Sequence, residues 1–320
     1  MPTDFVVLGA TGNTGSAIAE TLARRGFGVT LAGRDAGRSA DVATRLGHQN
    51  VDVLTVDTAD PDSLSVAAKA GRVLVNTVGP FARLAPAVIA ACLAARTSYV
   101  DIGNERAAVR AVLDLDETAR ERGVVLVTGA GFGQASTEAP LLALLRAQPR
   151  PVRVIVAAAA ANARQTEGVR TTTTETMADG ATTYVGGQLV RVPFGRNGRT
   201  LTFGGRTHQV LPAPLGDLEA ARRITGAGDV TAYIALGGET AGSTVDRHSF
   251  GYAEITGADG TTSAAVLCTG EGVAFGVHVA AETAVRLLGG TGRPGAWTPV
   301  HLFGADVATG AAGTTIEIAP

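Results

Sequence analysis

Gly9-Ala10-Thr11-Gly12-Asn13-Thr14-Gly15 decides how this chain is read. It follows the apolar run Phe5–Leu8 and leads into Ser16–Arg25, where Ile18 and Leu22 stand four apart and Gly26 marks the stop. The spacing GxxGxxG is a variant of the GxGxxG dinucleotide turn. A strand that turns sharply into a helix, lets its backbone approach a pyrophosphate and packs that helix tightly on a sheet must dispense with Cβ atoms at three places. The helix N-terminus beyond the turn offers unpaired N–H groups and the positive end of its dipole to an anion. In a chain with 42 glycines the spacing alone is a weak signal, and its context gives it meaning.

Outward from that turn, buried-strand runs alternate with amphipathic stretches. The runs are Phe5–Leu8, Val29–Ala32, Val51–Val56, Val73–Val78, Tyr99–Ile102 and Val124–Thr128. Helices are predicted at Ser16–Arg25, after Asp60-Pro61 (a cap followed by a first-turn proline), at Pro86–Ala95, at Glu105–Arg122 and at Pro140–Leu145. Strands joined by crossover helices make an α/β, Rossmann-type doubly wound parallel sheet. Beyond Pro149-Arg150-Pro151, a hinge candidate, the chain becomes rich in Thr, Val and Gly. Val152–Ala160, Thr200–Val210, Ser249–Thr256 and Thr261–Thr269 read as strands of a mainly antiparallel sheet, the last two joined by the turn Ala258-Asp259-Gly260. Helices are expected at Gly168–Asp179 and Val273–Leu288. The expected organisation is a dinucleotide-binding domain at 1–148, an α+β substrate and oligomerisation domain at 149–272, and a C-terminal helix and tail at 273–320 packing back on the first domain.

Strand ends carry ligands in such sheets. The second run ends Leu31-Ala32-Gly33-Arg34-Asp35, so the first polar group there is a guanidinium. Arg34, assisted by Arg38, suits a 2′-phosphate and favours NADP over NAD, whereas Asp35 is an alternative partner for Arg34. Asp57 ends the third run near the expected adenine, and Thr77-Val78-Gly79-Pro80 ends the fourth, where the nicotinamide ribose should pass. The cofactor set is therefore Gly9, Ala10, Thr11, Gly12, Asn13, Thr14, Gly15, Arg34, Asp57, Thr77, Val78, Gly79 and Pro80.

A formal charge of −2 argues against a nucleic-acid or polybasic membrane-surface protein. No apolar stretch approaches the ~20 residues a membrane helix needs, and no secretory signal is visible, so a soluble cytoplasmic protein is expected. Cys92 and Cys268 fit neither a disulfide framework nor a metal site, and the five histidines are scattered, so no metal is expected. There is one lysine, Lys69, on a helix face among alanines. That removes lysine imine catalysis and the Tyr-x-x-x-Lys pair of short-chain dehydrogenases.

GATGNTG (9–15), AGRD (32–35), NTVGPF (76–81), Ala91-Cys92 and Tyr99-Val100-Asp101-Ile102-Gly103-Asn104-Glu105 together resemble the saccharopine dehydrogenase-like NAD(P)-dependent oxidoreductases. The similarity leans to the bacterial branch that includes trans-acting enoyl reductases. It continues weakly through Gly131-Phe132, Thr137–Pro140 and the segment from Ala296 to Gly304. The chain departs from the family at Gly133-Gln134, where Asp-Ser is usual, in a loop that borders nicotinamide and substrate in the family. The resemblance implies hydride transfer to or from NAD(P) and leaves the bond open between C=N, C=C and C=O.

Hydride transfer needs a held carbon and a group facing the other atom of the reduced bond. Tyr99, Asp101 and Gln134 are the catalytic candidates, with capping of the next helix as the alternative for Asp101. Ser136 and Thr137 flank Gln134, and Glu105 reads as a first-turn helix acid. Phe81, Phe132 and Arg170 are the substrate candidates, with Arg164 and Thr171 beside the last. Tyr184, His208 and His248 are lone proton-donor candidates, with placement at the surface or in the core as the preferred alternative for each. The leading expectation is an NADPH-dependent reductase of a small or carrier-bound biosynthetic intermediate, forming a homodimer through its second sheet. An opine- or saccharopine-type imine dehydrogenase and a non-catalytic NADP-binding sensor are the alternatives.

Overall fold

The computed structural model describes residues 2–161, 180–193, 195–235 and 248–319. The chain folds into two compact units: Met1–Gly103 with Ala111–Gly131 and Gly276–Leu302, and Asn104–Arg110 with Phe132–Phe275 and Phe303–Pro320. The expected helix at Gly168–Asp179, with Arg164, Arg170 and Thr171, lies outside the described residues.

The first unit is built on seven parallel strands: β1 (Thr3–Leu8), β2 (Val29–Gly33), β3 (Val51–Thr55), β4 (Gly71–Asn76), β5 (Ser98–Asp101), β6 (Val125–Val127) and, from far along the chain, β15 (Gly295–Trp297). Their order is β15-β6-β5-β4-β1-β2-β3. The parallel doubly wound sheet read from the sequence is therefore present, with one strand more at its edge. Phe5, Val6, Val7 and Leu8 are buried because the strand is covered on both faces. The order in which strands are added across the sheet reverses between β1 and β4, which are parallel and whose last residues Leu8 and Asn76 lie in register. A crevice opens at the carboxyl ends of strands at such a point.

Local chemistry sets the helix ends. In α1 (Asn13–Arg24) Ile18, Ala19, Leu22 and Ala23 are buried. Asp35 caps α2 (Ala36–Leu46) by accepting from the Arg38 amide, and Gly47 ends it in the left-handed region. Asp60 and Pro61 start α3 (Pro61–Ala70) as predicted. Helix α4 (Phe81–Ala95) begins five residues before Pro86, because Phe81 and Ala85 are buried on one side while Pro86 faces solvent. The predicted helix Glu105–Arg122 is two, α5 (Arg106–Leu113) and α6 (Asp116–Arg122). The break at Leu115 lets Asp116 and Glu117 occupy a fresh first turn, where the helix dipole favours acids.

Cys92 on α4 is fully buried, and burial pushes its thiol up to about 12. Cys268 is only partly covered. Titration of the native protein with a thiol reagent is expected to modify Cys268 alone, with Cys92 reacting only on unfolding. Two equivalents reacting at equal rates in the folded state would contradict the packing of α4.

Among the described residues, the second unit holds a mixed, mostly antiparallel sheet of nine strands. These are β7 (Arg153–Ala159), β8 (Ala181–Val185), β9 (Gln188–Val192), β10 (Arg199–Phe203), β11 (Arg206–Pro212), β12 (Asp229–Ala235), β13 (Ser249–Thr256), β14 (Thr262–Thr269) and β16 (Thr315–Ala319). The order is β10-β11-β12-β7-β13-β14-β16, with β8 and β9 attached beside β12. Thr200–Val210, read as one period-two run, is a hairpin, because Gly204 and Gly205 both take positive φ and turn it. Helices α7 (Phe132–Leu145) and α8 (Gly216–Thr225) cover one face, where Leu141, Leu144, Leu218 and Ala221 meet Val154, Val156, Val230 and Ile255. Helix α7 starts eight residues before the predicted Pro140, since Gln134 through Leu141 are all buried. The other face carries Ile155, Phe203, Val210, Tyr233, Phe250 and Tyr252. Helices α9 (Gly272–Leu288), α10 (Pro299–Phe303) and α11 (Asp306–Thr309) complete the described elements. Among the described residues no helix is long and apolar enough to cross a membrane.

Candidate functional site

The turn from β1 to α1 is closed by backbone bonds: Gly9 N–H donates to the Ala32 carbonyl (2.8 Å) and Gly12 N–H to that of Gly9 (3.0 Å). Gly9 has φ +87°, and a Cβ there would lie 2.6 Å from Thr77 Oγ1 and 2.8 Å from Val78 Cγ2. A Cβ on Gly15 would overlap the Gly9 carbonyl oxygen and stand 2.7 Å from Thr77 Oγ1. Both positions exclude side chains for packing reasons internal to the turn. Gly12, the N-cap of α1, supplies no side-chain cap, and the first bond of the helix is Ser16 N–H to the Gly12 carbonyl (2.9 Å). The amides of Asn13, Thr14 and Gly15 therefore precede the first helical donor, Ser16 N–H, and carry the positive end of α1. Gly12 and Asn13 are exposed, Thr11 and Thr14 half-buried, and Ala10 buried.

Thr77 ties the ends of β1 and β4 together, donating to the Leu8 carbonyl through its N–H (2.9 Å) and its hydroxyl (2.8 Å). Fully buried Asn76 accepts from the Val78 amide (3.0 Å) and donates to the Tyr99 hydroxyl (3.0 Å). Gly79 is exposed, and Pro80 caps α4 while Phe81 packs under Gly103. At the end of β5, Asp101 is buried, and its Oδ1 accepts from Gly103 N–H (2.9 Å), the Thr128 hydroxyl (2.9 Å) and Gly129 N–H (3.1 Å). Burial raises its carboxyl to about 6 against the pull of those donors. Burial and the neighbouring Asp101 carboxylate also raise the Tyr99 hydroxyl. Asp101 braces the loops after β5 and β6, while Tyr99 ties β5 to the end of β4 through Asn76.

Arg34 stands exposed after β2. Asp35 spends an oxygen on the Arg38 amide (3.0 Å). Asp57 takes the Ser63 hydroxyl as acceptor for its own amide (3.0 Å) and accepts from Ala59 N–H (2.9 Å), which builds the approach to α3.

Within the second unit, Gln134 is 1% exposed, and neither atom of its carboxamide has a hydrogen-bond partner. Ser136 returns its hydroxyl to the Gly133 carbonyl (3.0 Å), and Thr137 donates to Asp217 (2.7 Å). Phe132 meets Phe275 edge-on at 5.9 Å. Tyr184, without a partner visible in the sequence, donates to buried Glu219 (2.9 Å), which also pairs with Arg106 (2.9 Å). His208 stacks on Phe203 at 4.1 Å, and His248 is exposed.

The profile described as the saccharopine dehydrogenase NADP binding domain matches residues 5–127. Residues 5–127 are a domain of that kind. A Mycobacterium tuberculosis protein named as a candidate trans-acting enoyl reductase is 37% identical over 149 residues, which are 45% of this chain and 36% of the relative. A trans-acting enoyl reductase of Mycobacterium bovis is 32% identical over 148 residues, 45% of this chain and 35% of the relative. The match thus spans about a third of the length of those relatives. Saccharopine dehydrogenase (L-Glu forming) from Saccharomyces cerevisiae superposes with a TM-score of 0.68 at 13% identity, over 99% of this chain and 100% of that one, which is a likeness of fold.

The residues of this NADP-binding domain fit the group its family is named for. Gly9 and Gly15 leave no room for a Cβ, which lets β1 turn tightly into α1, and the N-terminus of α1 beside them carries no side-chain cap. The exposed guanidinium of Arg34 follows β2, with no free strand-end acid in front of it. Three side chains carry little or no signal in the sequence, Asn76 in this domain and Asp217 and Glu219 in the second unit. Asn76 was quoted in a motif but given no role, although an Asn closing a buried strand before a Gly-Pro turn is the signal. Asp217 and Glu219 carry no spacing signal, since they meet Thr137, Tyr184 and Arg106 only through the fold.

Proposed function

We propose that the chain is an NADPH-dependent reductase that delivers hydride to a small or carrier-bound biosynthetic intermediate, with an activated carbon–carbon double bond as the bond reduced. The observation that carries this reading is the uncapped N-terminus of α1 behind a turn with no room for side chains, in a domain of the NADP-binding kind. The names of the mycobacterial relatives favour the enoyl bond. Bound NADPH supplies the hydride from its nicotinamide ring. The amides of Asn13, Thr14 and Gly15 hold the diphosphate, Arg34 holds the 2′-phosphate, and Asn76 and Thr77 fix the end of β4. Tyr99 and Asp101 act as positioning residues, Asp101 at the loops after β5 and β6 and Tyr99 at the end of β4. Gln134, Phe81, Phe132 and Arg170 remain the substrate-side candidates, with residues 149–272 as the part that presents the substrate.

Stopped-flow oxidation of NADPH with enoyl-thioester, imine and keto substrates in parallel tests this. Turnover of the enoyl substrate alone supports the reading, and turnover of the imine alone replaces it with an imine dehydrogenase. A binding-only sensor is favoured by the burial of Tyr99, Asp101 and Gln134. Tight NADP binding with no hydride exchange on any of the three would establish it. Arg34→Ala is expected to weaken NADPH binding by about 30-fold while leaving NADH within twofold, from the loss of a charge-assisted phosphate contact. Equal weakening of both removes Arg34 from the 2′-phosphate. The reading includes a cytoplasmic homodimer, which light scattering checks through a mass twice that of the chain.

A further inference from the structure

Residues 180–216 hold four arginines, Arg191, Arg196, Arg199 and Arg206, and no aspartate or glutamate, in a chain that carries 29 acids against 27 basic residues. The fold gathers this stretch at one place in the second unit. Strand β7 runs along one edge of β12, from Asp229 to Ile234. Two hairpins share the other edge, β8 pairing at Val230 and β11 at Tyr233, Ile234 and Ala235. Among the described strands β9 pairs with β8 alone, so its far edge is open. Gly186 and Gly187, at φ +55° and +83°, make a two-residue turn. Val185 and Gln188 on either side of it therefore exchange hydrogen bonds, and so do Thr183 and Val190. The N–H and C=O groups of Leu189 and Arg191 point the other way, off the open edge.

Natural proteins blunt such an edge with proline, a bulge or charge. β9 carries Arg191 beside Leu189 and Val190, each of which is 42% exposed. Leu189 stands across from Tyr184, and over the Tyr184 ring lies the Arg222 guanidinium, 5.6 Å from its centre. One face of the hairpin thus offers two cations, and the other offers Val190. Among the described residues neither Arg191 nor Arg196 enters an ion pair. Free main-chain groups, cations on one face and an apolar side chain on the other fit a strand that alternates carboxylate with apolar side chains. A phosphate backbone would use the cations and leave Val190 in water.

We infer that the open edge of β9 is a docking site for an extended acidic segment of a partner protein, which joins the second sheet as a strand beside β9. Carboxylates of that segment meet Arg191 and Arg222 on one face, and its apolar side chains cover Val190 on the other. Its main chain bonds to the outward N–H and C=O groups of Leu189 and Arg191. The site lies wholly within the second unit and needs no bound nucleotide.

Two end-blocked hexapeptides test this, one alternating Glu with Val and one alternating Lys with Val, each titrated into the full chain by calorimetry at low salt. The Glu peptide is expected to bind at about 50 µM and the Lys peptide about 30-fold more weakly or not at all. Arg191→Glu should lose about 30-fold for the Glu peptide. Leu189→Pro should lose about tenfold, because proline removes an N–H that β8 does not use. Hydrogen exchange on the wild type gives a readout that needs no variant to fold. Saturating Glu peptide should slow exchange of the Leu189 and Arg191 amides about tenfold and leave those of Gln188 and Val190, already bonded to β8, unchanged. Equal binding of the two peptides, tighter binding of a single-stranded oligonucleotide than of the Glu peptide, or unchanged exchange at Leu189 and Arg191 would each overturn the proposal. So would a doubled mass in solution with both amides protected before any peptide is added, since a second copy of the chain would then be the occupant.

Discussion

Gly15→Ala is expected to abolish nucleotide binding, by more than about 100-fold, and to lower stability by about 3 kcal/mol, or roughly 6–10 °C in Tm. The new methyl would overlap the Gly9 carbonyl oxygen and press on Thr77 Oγ1 at 2.7 Å. Neither neighbour can yield cheaply. The Gly9 carbonyl accepts from the Gly12 amide (3.0 Å), and the Thr77 hydroxyl is spent on the Leu8 carbonyl (2.8 Å). Relief would come from pulling α1 off the sheet, which moves the amides that face the diphosphate. Gly12→Ala is the control, since its methyl would stand 3.3 Å from the same oxygen at an exposed position. That variant should keep its Tm within about 2 °C while losing about tenfold in nucleotide affinity. Paired thermal melts and NADP+ titrations decide the matter: similar melting of the two variants would mean that the collision at Gly15 is relieved without cost.

Asp101→Ala should cost about 4 kcal/mol, because it strands two backbone amides and the Thr128 hydroxyl in a dry interior. Asp101→Asn isolates the charge. In the folded protein the carboxyl titrates at about 6, against an ordinary value of 3.8. The folded state therefore holds this proton more tightly than the unfolded chain does. The resulting stabilisation is complete below pH ~4 and is lost as pH rises through about 6, a swing of about 3 kcal/mol. The difference in unfolding free energy between wild type and Asp101→Asn should fall by that amount between pH 4 and 7 and stay flat above. A flat difference throughout would mean that the carboxylate is ionised at its ordinary pH. As a bracing residue, Asp101 should leave hydride transfer within about fivefold in the Asn variant, whereas a proton donor would lose it.

Strands covered on both faces announce themselves as apolar runs, so β1 and β2 were readable to within a residue or two, and the glycine spacing placed the nucleotide turn at once. β4 was read two residues late because Thr77 and Val78 look like strand residues; Asn76 ends the strand by taking the Val78 amide onto its side chain. β15 has three residues, Gly295–Trp297, among Pro and Gly, and no periodicity can show in so short a span. The β8–β9 hairpin was legible and missed: Gly186-Gly187, both at positive φ, is the dipeptide such turns require. The site divides the same way. Glycines and the strand-end arginine are spacing signals, whereas the three-fold acceptor at Asp101 arises from burial, a property of the folded chain alone.

Because β15 pairs with β6, Gly295 opposite Val125, the parallel sheet draws its edge from residues translated long after its first strands. On a ribosome, Val125–Val127 must wait, with an unprotected flank, for about 170 further residues to emerge before that border is sealed. No single proteolytic nick releases the nucleotide module whole, and anyone transplanting it must carry three separate stretches of chain.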